Sequence, residues 1–80
     1  MKLHLLAFGI AKDILHGGSV SYDLIVGDRI SDLKQSLLET YPDFVALTSL
    51  SFAVNETYVT DDHRLKEGDE IVLIPPVSGG

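Results

Sequence analysis

Apolar residues alternate with others from Lys2 to Phe8: Leu3, Leu5 and Ala7 share one parity, and Lys2, His4, Leu6 and Phe8 the other. That spacing predicts a strand. Gly9 to Leu15 has room for one or two helical turns, closed by the turn residues His16-Gly17-Gly18. Ser19 to Val26 alternates again, with Val20, Tyr22, Leu24 and Val26 on one face, and reads as a second strand pairing back on the first. The period then changes. Ile30, Leu33, Leu37 and Tyr41, with Leu38 beside them, recur at spacings of three and four, so Asp28–Tyr41 reads as an amphipathic helix. Asp28 and Asp32 suit its positive end, and Pro42 closes it. Asp43 to Leu50 has no readable period. Ser51–Asn55, with Phe52 and Val54 inward, and Thr57–Thr60 read as short strands, followed by the polar turn Asp61-Asp62-His63-Arg64. Glu67-Gly68-Asp69 is a tight turn into a last strand, Glu70–Ile74, stopped by Pro75-Pro76, neither of which offers an N–H to a ladder.

One good helix among five strands predicts an α+β domain, a mixed sheet with the main helix packed across one face. The element order is similar to the β-grasp, or ubiquitin-like, arrangement, in which the first and last strands lie side by side and parallel in the middle of the sheet. Residues 1–74 form the expected domain and 75–80 a flexible C-terminal tail.

Composition narrows the function. Eighty residues leave no room for a deep pocket beside a core, which favours a binding or carrier module over a complete enzyme. There is no cysteine, so disulfides, thiolate metal sites and a cysteine nucleophile are excluded. The lack of staples and of a long apolar run, with a short polar N-terminal stretch, suggests a cytoplasmic chain. Six Lys and Arg against twelve Asp and Glu give a net charge of −6. That argues against nucleic acid or an anionic membrane as partner and permits steering toward a basic protein surface.

The body shows little chemistry. His4, His16 and His63 lie in three different elements without ligand spacing, Asp61-Asp62-His63 reads as a solvated turn, and no metal site is expected. Gly17-Gly18 lacks the context of a phosphate cradle. The C-terminus differs. Pro75-Pro76 favours a stiff, extended entry, and six residues reach roughly 20 Å beyond the sheet. Gly79-Gly80 has no Cβ and can thread a narrow channel to present an unhindered carboxylate. Ionised at neutral pH, that carboxylate is a poor electrophile until another protein activates it, most naturally as an acyl-adenylate.

Parity supplies a second feature. With Lys2, His4 and Glu70 facing water, Leu6, Phe8, Val72 and Ile74 face outward too, on two neighbouring strands just behind the tail. An apolar patch on a small acidic protein marks a partner surface.

Ala53-Val54-Asn55, the run Leu65-Lys66-Glu67-Gly68-Asp69-Glu70-Ile71, and above all Pro75-Pro76-Val77-Ser78-Gly79-Gly80 resemble the family of small, sulfur-carrier subunits of molybdopterin synthase. The resemblance implies that Gly80 is adenylated by an ATP-using, E1-like activating enzyme and converted to a thiocarboxylate, with no cofactor held by the chain itself. It implies that the tail then enters the large synthase subunit and gives up sulfur for the molybdopterin dithiolene, within a hetero-oligomer. Docking is implied at Leu6, Tyr58 and Ile74. Asp28-Arg29 departs from the family at the helix start, where relatives often carry a capping threonine. A sulfur carrier of a thiamine or thiolation pathway, a ubiquitin-like protein modifier and a non-reactive interaction module remain as alternatives.

Overall fold

The computed structural model describes residues 1–46 and 50–74. The expected tail, Pro75 to Gly80, therefore lies outside the described residues, as does part of the stretch after Asp43 that the pattern left unplaced. The elements run β1 (Lys2–Ala7), α1 (Gly9–Leu15), β2 (Ser19–Asp23), α2 (Ile30–Thr40), a 3-10 turn (Pro42–Ala46), β3 (Ser51–Val54), β4 (Thr57–Val59) and β5 (Glu70–Ile74). They form one five-stranded sheet in the order β2-β1-β5-β3-β4. β1 and β5 are parallel neighbours at its centre, and the other pairings are antiparallel. This is the α+β, β-grasp architecture that the element order predicts.

Alternation decides which face is buried. Leu3, Leu5 and Ala7 of β1, Phe52 and Val54 of β3, and Ile71 and Leu73 of β5 turn inward, onto Ala11 and Leu15 of α1 and Ile30, Leu33 and Leu37 of α2. Leu5, Leu33, Ile71 and Leu73 are completely shielded, each contributing about 1.5–3 kcal/mol of burial. Leu24, Phe44 and Leu65, from outside the strands and the two helices, are buried in the same core. Phe44, from the unplaced stretch, meets Tyr41 edge-on with ring centroids 6.1 Å apart.

Five elements have bounds that differ from the pattern: β3 stops at Val54 and β4 at Val59, each one residue early, and the other three differ for reasons visible in the structure. β1 stops at Ala7 rather than Phe8, because Phe8 is the extended residue that enters α1. β2 stops at Asp23: Leu24 still points inward, but Val26, expected on the same face, is 78% exposed, and Ile25 beside it is 80% exposed. The main helix starts at Ile30, not Asp28, and ends at Thr40, one residue before the non-helical Tyr41 that precedes Pro42.

The start of α2 shows how a chain without a capping hydroxyl manages. Asp32 Oδ2 reaches back and accepts hydrogen bonds from the N–H groups of Asp28 (3.1 Å) and Arg29 (3.0 Å). The N–H groups of Ile30 and Ser31 donate to the carbonyls of His63 (3.0 Å) and Asp61 (3.0 Å). The polar turn at 61–64 thus supplies backbone acceptors that a helix start otherwise lacks. Gly27, at φ +86°, permits this arrangement, since a Cβ there would fall on the Asp32 carboxylate. Gly27→Ala is therefore expected to cost about 2–4 kcal/mol, from strain plus the displaced cap, and to lower the melting midpoint by roughly 10–25 °C. A thermal melt monitored by circular dichroism checks it; a drop of only a degree or two would contradict the role given to Asp32.

The β3–β4 hairpin turns through Asn55 (φ 48°) and Glu56 (φ 74°). Two successive positive φ values in a two-residue loop are the geometry that favours Asn-Gly. Asn55 is well chosen: its N–H donates to the Glu70 carbonyl at 3.0 Å, and its side chain bonds Asp69 and the Glu70 N–H, pinning the hairpin to β5. Glu56 is not, having a Cβ in a left-handed conformation. Glu56→Gly is expected to stabilise the protein by about 0.5–1 kcal/mol, visible as a higher denaturant midpoint with an unchanged slope.

Candidate functional site: the outer sheet face

The face of the sheet away from α2 carries no helix among the described residues. Its composition follows from parity and register together. Leu6 lies opposite Ser19 on one side and Val72 on the other. Val72 lies opposite Ala53, which in turn lies opposite Tyr58. Ser19, Leu6, Val72, Ala53 and Tyr58 therefore form one row across all five strands, roughly 20 Å at the usual strand spacing. Ile74 stands one step along β5, opposite Ser51, and Phe8 follows Ala7, which pairs with Leu73.

Exposure along the row is uneven. Tyr58 is 70% and Phe8 59% exposed, while Leu6, Val72 and Ile74 are half-buried. Ala53, though on the outer face, is only 7% exposed. The row dips over this small residue, with Val72 on one side and Tyr58 on the other.

The opposite end of the same face is polar. His4 lies between Ser21 and Glu70, and Lys2 lies opposite Asp23. The His4 ring shares a hydrogen bond of 2.8 Å between Nε2 and the Ser19 hydroxyl. His4 is thus an exposed strand residue, as its parity indicates. The face grades from polar, where β5 begins, to apolar, where β5 ends and the chain goes on to Pro75. Burying the apolar half against another protein removes Leu, Ile, Val, Phe and Tyr surface from water at one contiguous place.

All five expected interface positions, Leu6, Phe8, Tyr58, Val72 and Ile74, sit at this end or along this row. The sequence reading missed Ala53. A small residue between two alternating neighbours gives no signal alone, and only the register places it between Tyr58 and Val72. Among the described residues no group of three or more His, Asp or Glu side chains could hold a metal ion, and no helix is long and apolar enough to cross a membrane. Gly80 and the tail residues Pro75, Pro76, Val77, Ser78 and Gly79 lie outside the described residues.

Comparison with known proteins adds what geometry alone does not. The molybdopterin synthase sulfur carrier subunit of Chlamydomonas reinhardtii is 33% identical, and the match covers 100% of both chains. In a solved protein–protein complex of subunits 1 and 2 of the molybdopterin-converting factor from Helicobacter pylori, one chain superimposes with a TM-score of 0.67 at 27% identity, again covering 100% of both chains. SAMP1 from Haloferax volcanii shares the fold, with a TM-score of 0.81 at 19% identity over 100% of both chains. The ThiS family model matches residues 8–80, nearly the whole length, and the chain belongs to the ThiS family.

Proposed function

We propose that this chain is the sulfur carrier of molybdopterin synthase, inert alone and active through the carboxylate of Gly80. The observation that carries the reading is that the exposed apolar row meets the start of the Pro-Pro-Val-Ser-Gly-Gly tail at Ile74. A protein seated on that row is positioned to take in the tail. The similarity to carrier subunits over the full length and to a chain solved in complex with a second subunit supports the same arrangement.

The chemistry follows from what a carboxylate lacks. One Gly80 oxygen attacks the α-phosphorus of ATP on an E1-like activating enzyme; pyrophosphate leaves and an acyl-adenylate forms. A sulfur nucleophile at the sulfide level attacks the acyl carbon, a C–S bond replaces the C–O bond, and AMP leaves. The resulting thiocarboxylate is a nucleophile through sulfur, and the large subunit holds the acceptor. Sulfur bonds to an acceptor carbon as a C–O bond of that carbon breaks and its oxygen leaves with a proton. Water then attacks the Gly80 acyl carbon, the acyl C–S bond breaks, sulfur stays on the acceptor, and the carboxylate returns for another cycle. ATP is a substrate of the activating enzyme, and the carrier binds no cofactor of its own. The compartment that suits this chemistry is the cytoplasm.

The body of the carrier supplies recognition, and the Pro-Pro-Val-Ser-Gly-Gly segment supplies reach. Gly80→Ala places a methyl group beside the reacting carbon and is expected to slow sulfur transfer about tenfold without altering the fold, since misplacement of about an ångström is costly in such reactions. Reconstitution of charged carrier with large subunit and precursor, following dithiolene formation, tests the proposal. Product that depends on stoichiometric charged carrier supports it, and product formed equally with the uncharged chain contradicts it.

A further inference from the structure

We propose that the turn between β2 and α2, with Ile25 and Val26 at its tip, is a second docking surface, and that it receives a basic, apolar-pocketed patch of the activating enzyme. The inference rests on the carrier role proposed above and names how one partner of that role recognises the chain.

Ile25 and Val26 are 80% and 78% exposed, more than any other large apolar side chain described. The turn that holds them is fixed on both sides. Before it, Leu24 is buried and exchanges backbone hydrogen bonds with Met1 at 2.8 and 3.0 Å, while the Met1 ammonium also meets Asp23 at 3.1 Å. After it, Gly27 at positive φ leads into the two N–H groups held by Asp32. The tip cannot turn its side chains inward without breaking these contacts. Apolar anchors already ordered in the free protein lose little entropy on binding.

Beside the tip lies a hollow of about 370 Å³ walled by Ile25, Val26, Asp32, Gln35, Ser36 and Glu39. Its lining carries two carboxylates and no cation, on a chain of net charge −6. A second copy of this chain would meet like charge with like charge, whereas a basic surface is complementary.

The location separates this surface from the outer sheet face. Asp23, the end of β2, lies opposite Lys2, the start of β1, and β1 runs parallel to β5. Ile25 and Val26 therefore sit at the end of the sheet where β5 begins, against α2, whereas the chain leaves for the tail at the other end. A partner on the sheet face leaves the turn free.

Chemistry assigns the occupant. The large subunit meets a thiocarboxylate, a group it can recognise directly. The activating enzyme meets a plain carboxylate, such as every protein chain ends in; a narrow channel admits the Gly-Gly end, and contacts with the body of the carrier add selectivity over other chains that end in small residues.

The test compares the wild-type chain with the double substitution Ile25→Ser and Val26→Ser, and separately with Glu39→Lys. Charging kinetics are measured with purified activating enzyme and ATP, affinity by calorimetry with the purified large subunit, and oligomeric state by sedimentation, after thermal melts show folded variants. The expected result is a KM for charging raised about tenfold in both variants, with kcat and large-subunit affinity unchanged within about twofold. Unaltered charging, a loss of large-subunit affinity instead, or a wild-type dimer abolished by the substitutions would each overturn the inference. A wild-type chain that is neither bound nor charged would overturn the carrier role as well, whereas normal wild-type charging with unaffected variants overturns this inference alone.

Discussion

A chain extended by a single alanine after Gly80 is expected to lose charging by the activating enzyme entirely while folding as before. The reacting group is the terminal carboxylate. With one more residue, the Gly80 carbonyl becomes an amide, which cannot attack ATP. The new carboxylate lies about 3.5 Å farther out and carries a Cβ beside it. Either displacement exceeds what a threaded site tolerates, since about 1 Å can cost a hundredfold. ATP–pyrophosphate exchange reads the adenylation step and circular dichroism the fold. Exchange within about tenfold of the wild-type rate would mean that the end of the chain is incidental and that the body is a passive interaction module.

The second large effect concerns the sheet face. Leu6→Glu and Ile74→Glu are each expected to weaken binding of the large subunit by about 2–4 kcal/mol, a loss of roughly 30- to 1,000-fold, because a carboxylate replaces an apolar contact on the apolar half of the face, in the row at Leu6 and beside it at Ile74. Both positions are half-buried on the outer face and outside the core, so the fold should survive. Ser21→Glu, at the polar end of the same face, is the matched control and should change affinity by less than about 0.5 kcal/mol. Calorimetric titration separates the cases. Equal, small effects at all three positions would move the interface elsewhere.

Much of this molecule was legible in alternation. Leu3, Leu5 and Ala7 against Lys2, His4 and Leu6, and Ile71 and Leu73 against Glu70, Val72 and Ile74, give the correct faces of β1 and β5 and the correct bounds of β5. The reason is physical: both strands are central and one face of each packs on helices, so a shift of one residue would bury Lys2 or Glu70. Legibility fails where the chain leaves that constraint. Val26 continues the β2 alternation on paper, yet the strand ends at Asp23 because the chain must turn through Gly27 toward α2. The 3-10 turn at Pro42–Ala46 has no period to detect, and Phe44 reaches the core from it all the same.

The candidate site divides in the same way. Parity places Leu6, Phe8, Val72 and Ile74 outward, but Tyr58 enters only through the family resemblance, because a three-residue edge strand is too short for its phase to be read. Ala53 enters only through register. The helix start shows a related limit. Asp28 is where a cap would be sought, but its carboxylate meets Arg64 at 3.4 Å, and Asp32, one turn on, holds the amides instead.

The central claim is that the acyl carbon of Gly80 is what other proteins load and unload. Intact-mass spectrometry of the chain after incubation with activating enzyme, ATP and a sulfur source measures this most directly, with fragmentation to locate any change. The expected spectrum shows a single replacement of oxygen by sulfur, confined to Gly80 and reversed on incubation with large subunit and acceptor. An unchanged mass, or a modification carried by any internal residue, would contradict it.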